Sequence, residues 1–124
     1  RLSMRTIKVD SIEATGETAS RGVSGVAAAW VNFNGTGTVA IRNSENVASI
    51  VDNGTGKYAV NFISNMDSNG YSPSGWTNAS GFSDAFITGG GIPATSSILL
   101  RLKNSAFAST DSNVVCLSTH GDLA

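Results

Sequence analysis

The chain has 124 residues and a mass of 12.7 kDa, the size of a single domain that can bury a core of its own. Charged residues are 14% of it and the net charge is −1; the basic residues are scattered singly, which excludes a phosphate-binding patch and a nucleic-acid partner. No run approaches the ~20 apolar residues of a membrane-spanning helix, so membrane insertion is not expected, and a single Cys with a single His exclude an intrachain disulfide and a multi-histidine metal site.

The opening alternates, with Ile7, Val9 and Ile12 as a short apolar stripe, and predicts a strand with one exposed face. Residues 15–25 are rich in Gly, Ser and Thr and read as a linker or extended arm, so the domain division expected is 1–25 for an N-terminal strand and arm and 26–124 for a β-sandwich-like head. The clearest pattern follows. The tetrapeptide Asn-Gly-Thr-Gly occurs twice, at Asn34-Gly35-Thr36-Gly37 and Asn53-Gly54-Thr55-Gly56, each time between two apolar alternating runs. Asn-Gly supplies the positive φ that a tight hairpin turn needs. In the first run Val31 and Phe33 share one face and Trp30 and Asn32 the other; in the last, Tyr58, Val60 and Phe62 alternate with Lys57, Ala59 and Asn61. With Asn43-Ser44-Glu45-Asn46 as the joining turn, the two hairpins predict a four-strand antiparallel meander.

Downstream, Ser72-Pro73-Ser74-Gly75 reads as a turn and Gly89-Gly90-Gly91 as a break. Residues 95–103 are a strong strand with Ile98, Leu100 and Leu102 on one face, and residues 113–119 form a last strand. The fold class expected is all-β, an antiparallel meander or β-sandwich. Several strands carry apolar residues on both faces and need cover on both, from a second sheet or from neighbouring chains.

The block Ala29-Trp30-Val31-Asn32-Phe33-Asn34-Gly35-Thr36-Gly37-Thr38-Val39-Ala40-Ile41-Arg42, followed by Val47-Ala48-Ser49-Ile50-Val51-Asp52-Asn53-Gly54-Thr55-Gly56 and Val60-Asn61-Phe62, resembles a segment of phage tail fibre proteins. Thr6-Ile7-Lys8-Val9-Asp10-Ser11-Ile12 resembles the arm that precedes that block in short fibre proteins. The resemblance covers residues 5–64 and implies a homotrimeric fibre tip on the virion, in contact with neighbouring tail proteins, that adsorbs to a bacterial surface receptor, a glycan or an outer-surface protein. No enzyme and no cofactor are expected, since one Cys and one His leave little for catalysis to work with. The competing readings are a purely structural virion module and a depolymerase acting on surface polysaccharide.

Candidate site residues lie outside the resemblance. Tyr71, Trp76, Phe82 and Phe86 fall in a stretch rich in Gly, Ser and Asn. Apolar ring faces beside hydroxyl and amide groups suit sugars, which stack on rings and offer hydroxyls to polar side chains. Tyr71, Trp76, Asn78 and Phe82 are therefore the expected ligand contacts, with Trp76 and Asn78 foremost; their competing role is to anchor loops on the core. Cys116 and His120, four residues apart on a strand, stand about 13 Å apart and form no nucleophile–base pair. Asp67 and Asp84 are the acids nearest the aromatic stretch, the pair a glycosidase reading would need. No catalytic residue and no metal ligand is expected.

Overall fold

A computed structural model describes residues 5–78 and 86–124. The apolar alternation builds eight core strands: β3 (Ala27–Asn34), β4 (Ala40–Glu45), β5 (Val47–Asp52), β6 (Lys57–Phe62), β7 (Ser72–Thr77), β8 (Phe86–Gly89), β9 (Ser97–Lys103) and β10 (Val115–His120). Ahead of them stand the two-residue strands β1 (Ser11–Ile12) and β2 (Arg21–Gly22) and one 3-10 turn at Val23–Gly25. There is no α-helix among the described residues, as a chain poor in long charged helix formers leads one to expect.

The core strands form two four-stranded antiparallel sheets, ordered β4-β3-β10-β7 and β5-β6-β9-β8. Inward side chains repeat every second residue: Ala29, Val31 and Phe33 on β3, Tyr58, Val60 and Phe62 on β6, Ile98, Leu100 and Leu102 on β9, and Val115, Leu117 and Thr119 on β10, all buried. Phe33 and Tyr58 meet edge to face with centroids 5.2 Å apart, one ring from each sheet. A second sheet thus covers the inner faces of these strands. Trp30, Val51, Trp76 and Leu99 remain exposed on the outside.

The two hairpins do not join into a meander. β4 and β5 belong to opposite sheets, and residues 43–45 continue β4 instead of turning. A single residue, Asn46 at φ 57, carries the chain across. Its side chain makes the corner possible: Nδ2 donates to the carbonyls of Ala28 at 3.2 Å and Ser64 at 3.1 Å, and Oδ1 accepts from the Ser64 N–H at 2.7 Å. Asn tolerates positive φ better than most residues. Asn46→Gly should cost about 1 kcal/mol, through the hydrogen bonds alone, and Asn46→Ala about 2–3 kcal/mol because the backbone is strained as well, both read by urea denaturation.

Two further local expectations give way. Ser72-Pro73-Ser74-Gly75 lies inside β7, not in a turn. β7 is an edge strand, where a missing N–H is tolerated, and at Gly75 the Ile87 side chain of the facing sheet leaves no room for another, since a Cβ there would stand 2.4 Å from Ile87 Cδ1. Among the described residues of the opening segment only Ser11 and Ile12 pair, with Gly22 and Arg21. Residues 15–20 turn back to allow this, held by a Glu17–Arg21 ion pair and by the Ala14 N–H on Glu17 at 2.9 Å. Ile7, Val9 and Ile12 are all exposed.

Both Asn-Gly-Thr-Gly turns fall at one end of the sandwich and are tied together there. The Tyr58 hydroxyl shares its one proton between Gly35 O at 2.6 Å and Asp111 Oδ1 at 2.8 Å, and Asp111 Oδ1 also accepts from the Gly56 N–H at 2.7 Å. The Asn46 corner, the C-terminal residues and the N-terminal arm gather at the other end.

Candidate functional site

β10 lies between β3 and β7, and this order builds the site. On the outer face of that sheet Ser118 stands opposite Trp30 on one side and Ser74 on the other; Cys116 stands opposite Asn32 and Trp76. The two indoles therefore flank β10 on a diagonal, two strand spacings across and two residues along, roughly 12 Å between their backbones. Between them runs an open groove of about 430 Å³ lined by Trp30, Asn32, Ser74, Trp76, Cys116 and Ser118. Trp30 is 36% exposed and Trp76 60%.

The groove is mainly apolar, with the hydroxyls of Ser74 and Ser118 on its floor and the charges of Arg42 and Glu45 beside it on β4. Ser74 Oγ and Ser118 Oγ are 3.1 Å apart on its floor. At its rim Arg42 donates to Asn32 Oδ1 at 3.2 Å and to the Asn113 carbonyl, which holds the amide of Asn32 in place. Burial pushes the Cys116 thiol up from its ordinary range and the Arg42 charge draws it part of the way back. Such a surface offers two apolar ring faces with short polar groups between them, and no fixed charge on its floor.

Of the three expected contacts among the described residues, Trp76 alone faces this groove. Tyr71 is a core residue: its ring is buried, packs edge to face on Phe62 at 5.9 Å, and its hydroxyl donates to Ala94 O at 2.8 Å. Burial raises the Tyr71 hydroxyl above its ordinary range. Asn78 serves the scaffold, because its Oδ1 accepts from the Ser112 hydroxyl at 2.7 Å and from the Val114 N–H at 3.1 Å. That oxygen ties the end of β7 to the segment leading into β10. Phe82 lies outside the described residues, as does Asp84. Asp67 is at the far end of the sandwich, where its N–H donates to Asp122 O at 2.9 Å. Among the described residues, no three His, Cys, Asp or Glu side chains gather as metal ligands.

Trp30 is the contact that a search for aromatics in polar stretches passes over, because it sits within a regular strand pattern. Its parity was the available signal: it alternates with Val31 and Phe33 and so had to face outward once those two were buried. A second cavity, about 480 Å³, opens where β7 and β8 part, but Ile87, Ile98, Leu100 and Leu117 line much of it and make it an extension of the core. Searches against family models, curated proteins and solved structures find no match to this chain.

Proposed function

We propose that this chain is the non-catalytic receptor-binding tip of a phage tail fibre, a homotrimer on the virion that adsorbs to a bacterial surface glycan through the groove between Trp30 and Trp76. The observation that carries the reading is that groove: two exposed indoles across a neutral strand of small polar residues. A pyranose ring stacks its C–H face on an indole, and Ser74, Ser118 and Asn32 meet its hydroxyls. The resemblance of residues 5–64 to tail fibre proteins supports the virion setting, and the surface poor in charge supports a neutral ligand in place of a phosphate. A shallow groove binds one sugar weakly; three copies on one tip turn weak sites into firm attachment by raising the effective concentration of the second and third contacts.

The test is a glycan array probed with the intact chain and with Trp30→Ala and Trp76→Ala. Trp76→Ala removes a mostly exposed anchor, so folding stability should stay within about 0.5 kcal/mol; Trp30→Ala, whose ring is largely covered, should cost about 1–2 kcal/mol of stability, and each should lower affinity by about 2 kcal/mol, roughly 30-fold. Binding that survives both substitutions moves the receptor site elsewhere. A folded, assembled chain that binds no glycan and no host cell favours the structural virion module, and release of reducing ends from host polysaccharide would make it a depolymerase.

A further inference from the structure

The four sheet edges are not alike. β7 carries Pro73 and Gly75, β8 is four residues long and runs into three glycines, and β4 carries Arg42 and Glu45. Each is blunted by a device that discourages strand addition. β5 is not. It pairs with β6 on one side only, and Val47-Ala48-Ser49-Ile50-Val51 holds neither charge nor proline and three β-branched apolar residues. A register shift between Val47 and Ser49 limits the regular part of this open edge to residues 49–52, with Val51 44% exposed and Asp52 at its end.

The same chain holds an alternating segment outside every strand. Thr6-Ile7-Lys8-Val9 alternates in sequence, pairs with no strand, and Ile7 is 87% exposed. The arm starts from the end of the sandwich at which β5 begins, yet within one chain the two do not meet. The four alternating residues match the length of the regular open edge, and the basic Lys8 and Arg5 complement a strand that ends in Asp52.

We infer that residues 6–9 of one copy add as an extra strand to the β5 edge of the next copy. Backbone hydrogen bonds hold such a strand, and Ile7 and Val9 would share a face with the exposed apolar row Val51, Ala59 and Leu99 or with the edge of the core, according to register. Passing an arm from each copy to the next is a head-to-tail contact; it closes into a ring when the rotation permits, and a three-membered ring is one such closure. The inference goes beyond the glycan reading and does not rest on it, because neither the arm nor β5 touches the groove.

Two full-length chains, both carrying Cys116→Ser, test it: one with Ile7→Cys, the other with Val51→Cys, mixed and oxidised. The expected result is at least tenfold more two-chain disulfide than from Ile7→Cys mixed with Ile63→Cys, an exposed position off the edge. Yields equal to that control overturn the inference, as does a chain bearing both Ile7→Cys and Val51→Cys that closes on itself in dilute solution. A second variant uses no cysteine. Val51→Lys places a charge on the open edge, and the sedimenting mass should drop from a multiple of 12.7 kDa to that of one chain. An unchanged multiple, or an unsubstituted chain that is already single, overturns the inference. If glycan binding fails while the cross-link forms, the receptor reading alone falls.

Discussion

Gly56→Ala should destabilise the domain by on the order of 3–5 kcal/mol, while Gly37→Ala, the same residue of the other Asn-Gly-Thr-Gly repeat, should cost about 1–2 kcal/mol. The backbone conformations are nearly the same, φ 65 at Gly56 and φ 57 at Gly37, so the left-handed penalty for an alanine is common to both. The surroundings differ. A Cβ at Gly37 meets nothing within 4 Å, whereas at Gly56 it would stand 2.7 Å from the carbonyl oxygens of Leu102 and Thr110 and 2.9 Å from Thr110 N. All three are backbone atoms that no rotamer change can move. Displacing them also strains the Leu102 N–H bond to Gly56 O at 2.8 Å and the Gly56 N–H bond to Asp111. Urea denaturation of the two variants side by side separates the clash from the dihedral cost, and equal losses would mean that the loop at residue 110 does not pack on this turn.

Tyr58→Ala is expected to cost roughly 4–6 kcal/mol, a large share of the 5–15 kcal/mol that holds a domain of this kind together. The ring is among the largest fully buried side chains and packs on Phe33, and its hydroxyl joins Gly35 and Asp111. Tyr58→Phe keeps the packing and loses the hydroxyl, so about 1–2 kcal/mol should go. The two differ again with pH. Burial, then the hydrogen bond to Asp111 and its negative charge, hold the Tyr58 hydroxyl well above its ordinary value near 10. A group with its folded-state value raised stabilises fully below its unfolded-state value, and that contribution is lost as pH climbs above it toward the folded one. The unsubstituted chain should therefore lose stability above about pH 10, more steeply than Tyr58→Phe in the same buffers. Parallel curves would show that the hydroxyl is not sequestered.

Much of this architecture is legible in the residues, and what escapes has a physical reason. The inward faces of β3, β6, β9 and β10 follow from strict alternation, because a strand with one dry side must repeat every second residue. Partition into two sheets does not follow, since it turns on one residue, Asn46, whose corner depends on carbonyls of residues 28 and 64 far away in sequence. Ser72-Pro73-Ser74-Gly75 has turn composition and becomes a strand because an edge accepts proline and the opposing Ile87 leaves no room for a side chain at residue 75. The site shows the same division. Trp76 is legible as an aromatic among polar residues, and Trp30 as an outward position of β3. That they flank one groove requires β10 between them, a non-local pairing that no local pattern encodes. Tyr71 and Asn78 show the converse: residue types suited to sugars that tertiary contacts enlist for the core and for the β7–β10 junction.

The groove is the centre of the account, and Cys116 on its floor is the chain's single thiol. The direct measurement is the alkylation rate of that thiol as an oligosaccharide bound by the intact chain is raised to saturation. A sugar lying across β10 between the two indoles should slow alkylation at least tenfold, with protection lost in Trp76→Ala at the same sugar concentration. A rate that stays constant while the sugar is fully bound would place the ligand away from Trp30 and Trp76 and contradict the account.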